Sequence, residues 1–167
     1  MIKLIRNQKG FTLVELLIVI GITGIISVVA AMSVSQVFTG TIFSNNQNTA
    51  INQVRNAVYR ISRDAQSANP SSIDVATNFL SLERLEWESG NWTSHAITYT
   101  YTLEEKELRR SYDGSTPGIL IAQYIEPASH CTWNTTETIL TVTITAQVGD
   151  ETETRTFEVK PRPDAPE

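Results

Sequence analysis

The sequence predicts an α+β protein: one long N-terminal α-helix packed on a mostly antiparallel β-sheet head. Three observations predict it. Residues 11–34 run for 24 positions with a single charge, Glu15. Residues 51–65 then repeat apolar side chains at helical spacing. Beyond Pro70 the period falls to two, with threonines alternating against aromatic and aliphatic residues. The chain divides accordingly into a basic segment 1–10, an apolar helix 11–34, an amphipathic half of the same helix 35–69, a β head 70–160, and a flexible tail 161–167.

Charge sharpens this division. The 167 residues carry 13 Lys and Arg against 18 Asp and Glu, a net charge of -5. Three of the basic residues, Lys3, Arg6 and Lys9, lie in the first ten positions, where no acid accompanies them. The remaining ten basic and eighteen acidic residues leave residues 11–167 at a net charge of -8. Such an acidic domain is not expected to bind nucleic acid in general, because that binding rests on neutralising phosphates. Cys131 is the single cysteine, which excludes an internal disulfide but does not define a compartment. Two histidines, His95 and His130, and one cysteine show no zinc-type ligand spacing.

The apolar run Phe11 to Val34 would form a helix of roughly 36 Å, enough for a hydrocarbon core of about 30 Å. Basic residues precede it and the acidic bulk follows, and the bias in basic residues is expected to put the N-terminus in the cytoplasm and the remainder outside. Three readings fit such a run. A secretory signal peptide expects a shorter apolar region followed by a small-residue cleavage site, for which Ala30 and Ala31 are the candidates. A plain single-span anchor fits the length but leaves Glu15 unexplained. A carboxylate at that depth costs about 2.5–3.5 kcal/mol on insertion scales and usually has a partner.

The third reading explains the acid. Lys9-Gly10-Phe11-Thr12-Leu13-Val14-Glu15 resembles the prepilin-peptidase signature of type IV pilins and type II secretion pseudopilins. The resemblance covers about residues 6–35. It implies cleavage after Gly10 on the cytoplasmic side, so that residues 1–10 are a leader and the helix stays with the mature chain. It also implies N-methylation of Phe11 and an assembly contact in which Glu15 meets the N-terminal amine of a neighbouring subunit. Two groups too costly to bury alone become tolerable as a pair.

After Val34 the pattern turns amphipathic. Ile51, Val54, Val58, Ile61 and Ala65 recur at spacings of 3 and 4, with Arg55, Arg60, Arg63 and Asp64 between them. Asn69-Pro70 is the expected stop. A helix from Thr12 to Ala68 would span roughly 85 Å. Thr39-Gly40-Thr41 and the run Ser44-Asn45-Asn46-Gln47-Asn48 weaken it and predict a bend or local unwinding. Many major pilins carry a proline where this chain has Met32, a departure that favours a minor subunit. Gly21 and Gly24 form no GxxxG pair, which leaves ordinary helix packing as the expectation.

In the head, residues 71–78 read as a loop and Phe79 to Trp87 as a short strand. Ile97, Tyr99, Tyr101 and Leu103 alternate with threonines, the mark of a half-buried strand. Glu104-Glu105-Lys106 reads as a turn, Leu108 to Tyr112 as the return strand, residues 113–118 as a loop, and Ile119 to Ile125 as another strand. The strongest signal is Leu140, Val142, Ile144, Ala146 and Val148. Gly149-Asp150-Glu151 turns it into Thr154 to Lys160, where Arg155, Phe157 and Val159 share a face. The helix stripe supplies the second layer a sheet requires. Strand order, an Ile-Thr-Tyr strand and a following Leu-Arg segment are loosely similar to minor pseudopilins of the J type and to W-type minor pilins.

No catalytic constellation is expected, and no enzyme. Ser129, His130 and Cys131 are adjacent, whereas a nucleophile and its base usually converge from distant segments. They read as a loop, with Cys131 as a small buried apolar residue. No cofactor is expected. Calcium is the one alternative, through Asp150, Glu151 and Glu153, but a hairpin turn is not a spaced carboxylate-and-carbonyl loop. Trp87, Trp92 and Trp133 are either core residues or surface contacts for a partner or glycan. The sequons at Asn91 and Asn134 read as incidental, and Glu83, Glu86 and Glu88 as a solvated face.

The expected function is a structural subunit, a minor pilin or pseudopilin, of a type IV pilus, type II secretion or competence filament. The resemblance implies as partners prepilin peptidase, other pilin or pseudopilin subunits, membrane lipid before assembly, an inner-membrane assembly platform and a cytoplasmic ATPase. The chain would sit in the bacterial inner membrane by a single span and then join an extracytoplasmic filament. The alternative is a membrane-anchored adhesion or DNA-uptake module whose head carries the activity. Exposed, clustered tryptophans would favour it.

Overall fold

The computed structural model describes residues 11–162, which fall into two units divided between Ile42 and Phe43. Helix α1 (Leu13–Gln66) contributes to both. In the first unit every residue from 11 to 42 is exposed. The most apolar 18-residue window has a mean hydropathy of 2.6 and none of it is buried. One helix among the described residues is thus long and apolar enough to cross a membrane. Its hydroxyls are satisfied within the helix: Thr23 donates to the Val19 carbonyl at 2.7 Å, Ser27 to Thr23 at 2.8 Å and Ser33 to Val29 at 2.9 Å. A hydroxyl bonded four residues back presents little unmet polarity to an apolar environment.

The local unwinding expected near Gly40 does not occur: residues 39–48 are all helical. The polar side chains bond back onto the helix instead of competing with it. Thr39 donates to Ser35 at 3.0 Å, Thr41 to Val37 at 2.8 Å and Thr49 to Asn45 at 2.8 Å. Helix α1 ends at Gln66, two residues before the expected Ala68, and Asn69 caps a short 3₁₀ turn, Pro70–Ser72, through its side chain.

In the second unit the helical segment 43–66 lays a stripe on seven strands. The strands are β1 (Leu80–Glu88), β2 (Asn91–Thr102), β3 (Glu107–Tyr112), β4 (Ile119–Ala122), β5 (His130–Asn134), β6 (Ile139–Val148) and β7 (Glu151–Val159). They form two antiparallel sheets, in the orders β1-β2-β3-β4 and β5-β6-β7, where one was expected. The segment after β4 joins them: Ile125 bridges to Ala146, the Glu126 amide donates to Thr145, and the Gln147 amide donates to Tyr124. The predicted strand Ile119 to Ile125 is therefore two pieces, β4 and this crossing segment.

The core is continuous across both sheets. Val54, Ala57, Ile61 and Ala65 of α1 meet Leu80, Leu82, Ile97, Tyr99, Leu108, Leu140, Val142 and Ile144. The stripe is rotated slightly from the expected one. Ala50 and Ala57 are buried while Ile51 and Val58 are only half-buried. Leu103, expected to continue the β2 face, lies in the β2–β3 turn and is exposed.

Turn chemistry explains the hairpins. The β6–β7 loop is just Gly149-Asp150, because Val148 pairs with Glu151. Gly149 has a positive φ of 59°, which glycine adopts without strain, and a Cβ there would press on the Asn46 amide at 2.6 Å and displace it. Ser89-Gly90, with φ of 50° and 92°, makes the equivalent two-residue loop between β1 and β2. That turn extends β2 back to Asn91, six residues before the predicted start. The tail also departs from expectation at its beginning. Pro161 is buried and the Arg162 amide donates to the Gln66 carbonyl at 3.2 Å. Residues 163–167 lie outside the described residues.

Candidate functional site

The sequence places the functional residues at the start of α1. Gly10 lies outside the described residues, as does the whole segment 1–10. Phe11 is exposed at the first described position, and Thr12 precedes the first helical residue. Thr12 sits at the helix cap: the Glu15 amide donates to Thr12 Oγ1 at 3.3 Å, and the Leu16 amide to the Thr12 carbonyl at 3.2 Å. Threonine followed three residues later by glutamate is a capping pattern that the sequence reading passed over. Glu15 stands in the first helical turn, where the helix dipole favours a carboxylate, and it is exposed. None of the ion pairs among the described residues involves it. Glu15 thus stands one turn from the end of an exposed apolar helix. In a membrane or a helix bundle it calls for a cationic partner.

The residues considered for chemistry in the head are engaged elsewhere. The Ser129 hydroxyl is buried, donating to the Thr145 carbonyl at 3.2 Å and accepting its amide at 2.8 Å. His130 faces solvent with Nδ1 2.8 Å from the Ala128 carbonyl. Cys131 and its neighbours form strand β5 rather than the expected loop. Burial pushes the Cys131 thiol up to about 12, which suppresses the nucleophilic thiolate at neutral pH. Glu153 pairs with Arg155 at 3.0 Å, while Asp150 occupies the hairpin turn. The Asn134 side chain accepts the Thr136 and Glu137 amides, so its amide belongs to a turn. A groove of about 390 Å³ lined by Asn56, Tyr59, Arg60 and Ile119–Ile121 presents no carboxylate or imidazole.

Two features were not read from the sequence. The first is the buried group Asp64, Tyr99 and Arg110. Tyr99 donates its hydroxyl to Asp64 Oδ2 at 2.7 Å, and Arg110 Nε donates to the same oxygen at 2.5 Å. Asp64 was expected between apolar positions and is instead fully buried. Its phase reveals it: residues 50, 54, 57, 61, 64 and 68 follow one stripe at spacings of 4 and 3. Burial raises the Tyr99 phenol well above its usual range, and the Asp64 carboxylate adds to the effect. Burial disfavours the Arg110 charge, but the bond to Asp64 outweighs it and raises the guanidinium. The second feature is an exposed tryptophan pair. Trp87 and Trp92 are each 60% exposed at the tip of the β1–β2 hairpin. Their rings meet edge to face with centroids 5.2 Å apart. Trp133, by contrast, packs half-buried against the core.

A lipid-competent N-terminal helix carrying one early acid, continued by a stripe on antiparallel sheets, defines a membrane-anchorable α+β protein with a pilin-like layout. Residues 5–31 match the family described as the prokaryotic N-terminal methylation motif, the signature of type IV pilins and pseudopilins. No curated protein and no solved structure matches the chain.

Proposed function

We propose that this chain is the precursor of a minor pilin or pseudopilin, a structural subunit of a type IV pilus, type II secretion or competence filament. The observation that carries the proposal is the coincidence of the methylation motif at residues 5–31 with an uncovered apolar helix bearing one acid, Glu15. Prepilin peptidase cuts between Gly10 and Phe11, and Phe11 is N-methylated. The subunit waits in the inner membrane by its helix, with the head outside. Assembly moves the helix from lipid into a bundle of helices, where Glu15 pairs with the N-terminal amine of a neighbour. A cytoplasmic ATPase, acting through a membrane platform, supplies the energy.

Intact mass spectrometry of the membrane-extracted protein tests this reading. The expected species lacks residues 1–10 and carries one added methyl group on Phe11. An uncut chain, or an N-terminus at another position, would sink the proposal.

One observation favours a second reading, in which the head is itself a binding module. The Trp87–Trp92 pair offers rigid amphipathic area to a partner or a glycan. A Trp87→Ala, Trp92→Ala variant is then expected to assemble as the parent does and to lose surface adhesion. Adhesion unchanged in the variant removes this reading and leaves the structural role standing.

A further inference from the structure

We propose that the β1–β2 hairpin holds a divalent transition-metal ion, with His95, Glu86 and Glu88 as ligands and Asp113 orienting His95. The strand register brings these residues together. Arg84 pairs with His95 across β1 and β2, so Arg84, Glu86 and Glu88, at alternate positions of β1, share the face of His95. Ligand atoms of Glu86, Glu88 and His95 all lie within 4.8 Å of one another.

The imidazole is prepared for a metal from its far side. His95 Nδ1 lies 2.7 Å from Asp113 Oδ2, while Asp113 Oδ1 accepts the Ala96 amide at 2.8 Å. An ionised carboxylate only accepts, so Nδ1 donates to Asp113, and a singly protonated ring then carries its lone pair on Nε2. Stacking on Tyr112, with centroids 5.1 Å apart and planes 18° from parallel, fixes the ring. Nε2 is buried and has no hydrogen-bond partner among the described residues. Glu88 Oε1 stands 3.5 Å from it. A lone pair facing a carboxylate is repulsive, and a cation between them removes the conflict. Carboxylate, imidazole and metal in line is the usual outer-shell arrangement of a histidine ligand.

The Glu88–His95 spacing suits a small ion. Two ligands of a tetrahedral zinc, each at about 2.0–2.1 Å, sit roughly 3.3 Å apart, close to the present Glu88–His95 separation. Glu88 is 55% exposed and has room to swing, whereas His95 is 12% exposed and held. Glu86 pairs with Arg84 through Oε1, so an ion must share or displace that contact. One imidazole with two carboxylates suits Zn²⁺ over Ca²⁺, and three protein ligands leave one position open. The competing arrangement is a doubly protonated His95 that ion-pairs with Asp113 and Glu88 and holds no metal.

Calorimetric titration of the detergent-solubilised full chain with zinc chloride at neutral pH distinguishes the two. One zinc per chain is expected. His95→Gln and Glu88→Gln should each weaken binding at least tenfold, and Asp113→Asn by about 10–100-fold. His130→Gln and Cys131→Ser should leave it unchanged. A His95 Nε2 resonance that shifts on zinc addition reads the same contact in the parent chain, should a variant fail to fold. Absence of zinc uptake by the parent, uptake insensitive to His95→Gln, or saturation by calcium instead would overturn the proposal.

Discussion

Replacing Glu15 by leucine is expected to leave the chain in the membrane and to remove it from the filament. The two halves of this expectation have opposite signs. Insertion should improve, because a carboxylate in an apolar span is disfavoured, by up to about 2.5–3.5 kcal/mol at the centre and by less near the end where Glu15 lies. Incorporation should fall by an order of magnitude or more, because the neighbour's charged amine would be left unpaired in a helix bundle. Breaking a buried pair by removing one partner is typically worth about 3–5 kcal/mol. Immunoblots of the membrane fraction and of sheared filaments separate the two effects. Equal amounts of Glu15→Leu and parent protein in sheared filaments would refute the role assigned to this acid.

The second large effect is expected at Asp64. It is fully buried, and both Tyr99 and Arg110 direct their donors at it. Asp64→Ala leaves a guanidinium and a phenol without their acceptor inside the head. The expected loss is about 3–5 kcal/mol, a large share of a typical domain stability of about 5–15 kcal/mol. Urea unfolding of the detergent-solubilised chain, followed by tryptophan fluorescence, measures it. The double variant Asp64→Leu, Arg110→Met is expected to recover most of the loss, because a buried pair replaced by apolar groups is often neutral. A loss below about 1 kcal/mol in Asp64→Ala would show that water or neighbouring groups satisfy Arg110 without it.

Elements with strong local periodicity were legible in the sequence. The stripe around Val54, Ile61 and Ala65 and the alternation from Leu140 to Ala146 need only their own side chains to announce them. Strand β5 did not, because its five residues alternate weakly and Cys131 and Trp133 are only half-buried. The split into two sheets has no local signal at all. It depends on how Ile125 meets Ala146, a pairing between distant segments. Asp64 is a different case: charges ordinarily face water, whereas its helical phase places it on the buried stripe. The motif Gly10, Phe11 and Glu15 was readable because it is one short linear stretch, inside the methylation motif matched at residues 5–31. The set Glu86, Glu88 and His95 was not, since its members meet only through strand register.

The hydroxyl of Thr12 has a consequence for the order of events at this end of the chain. It closes the first turn of α1 with an atom from within residues 11–162, so the helix needs nothing ahead of Thr12 to define where it begins. Trimming at Gly10 would then be a chemical edit rather than a conformational one. It would exchange three basic side chains for a single ammonium and leave the Thr12 cap of the first turn in place.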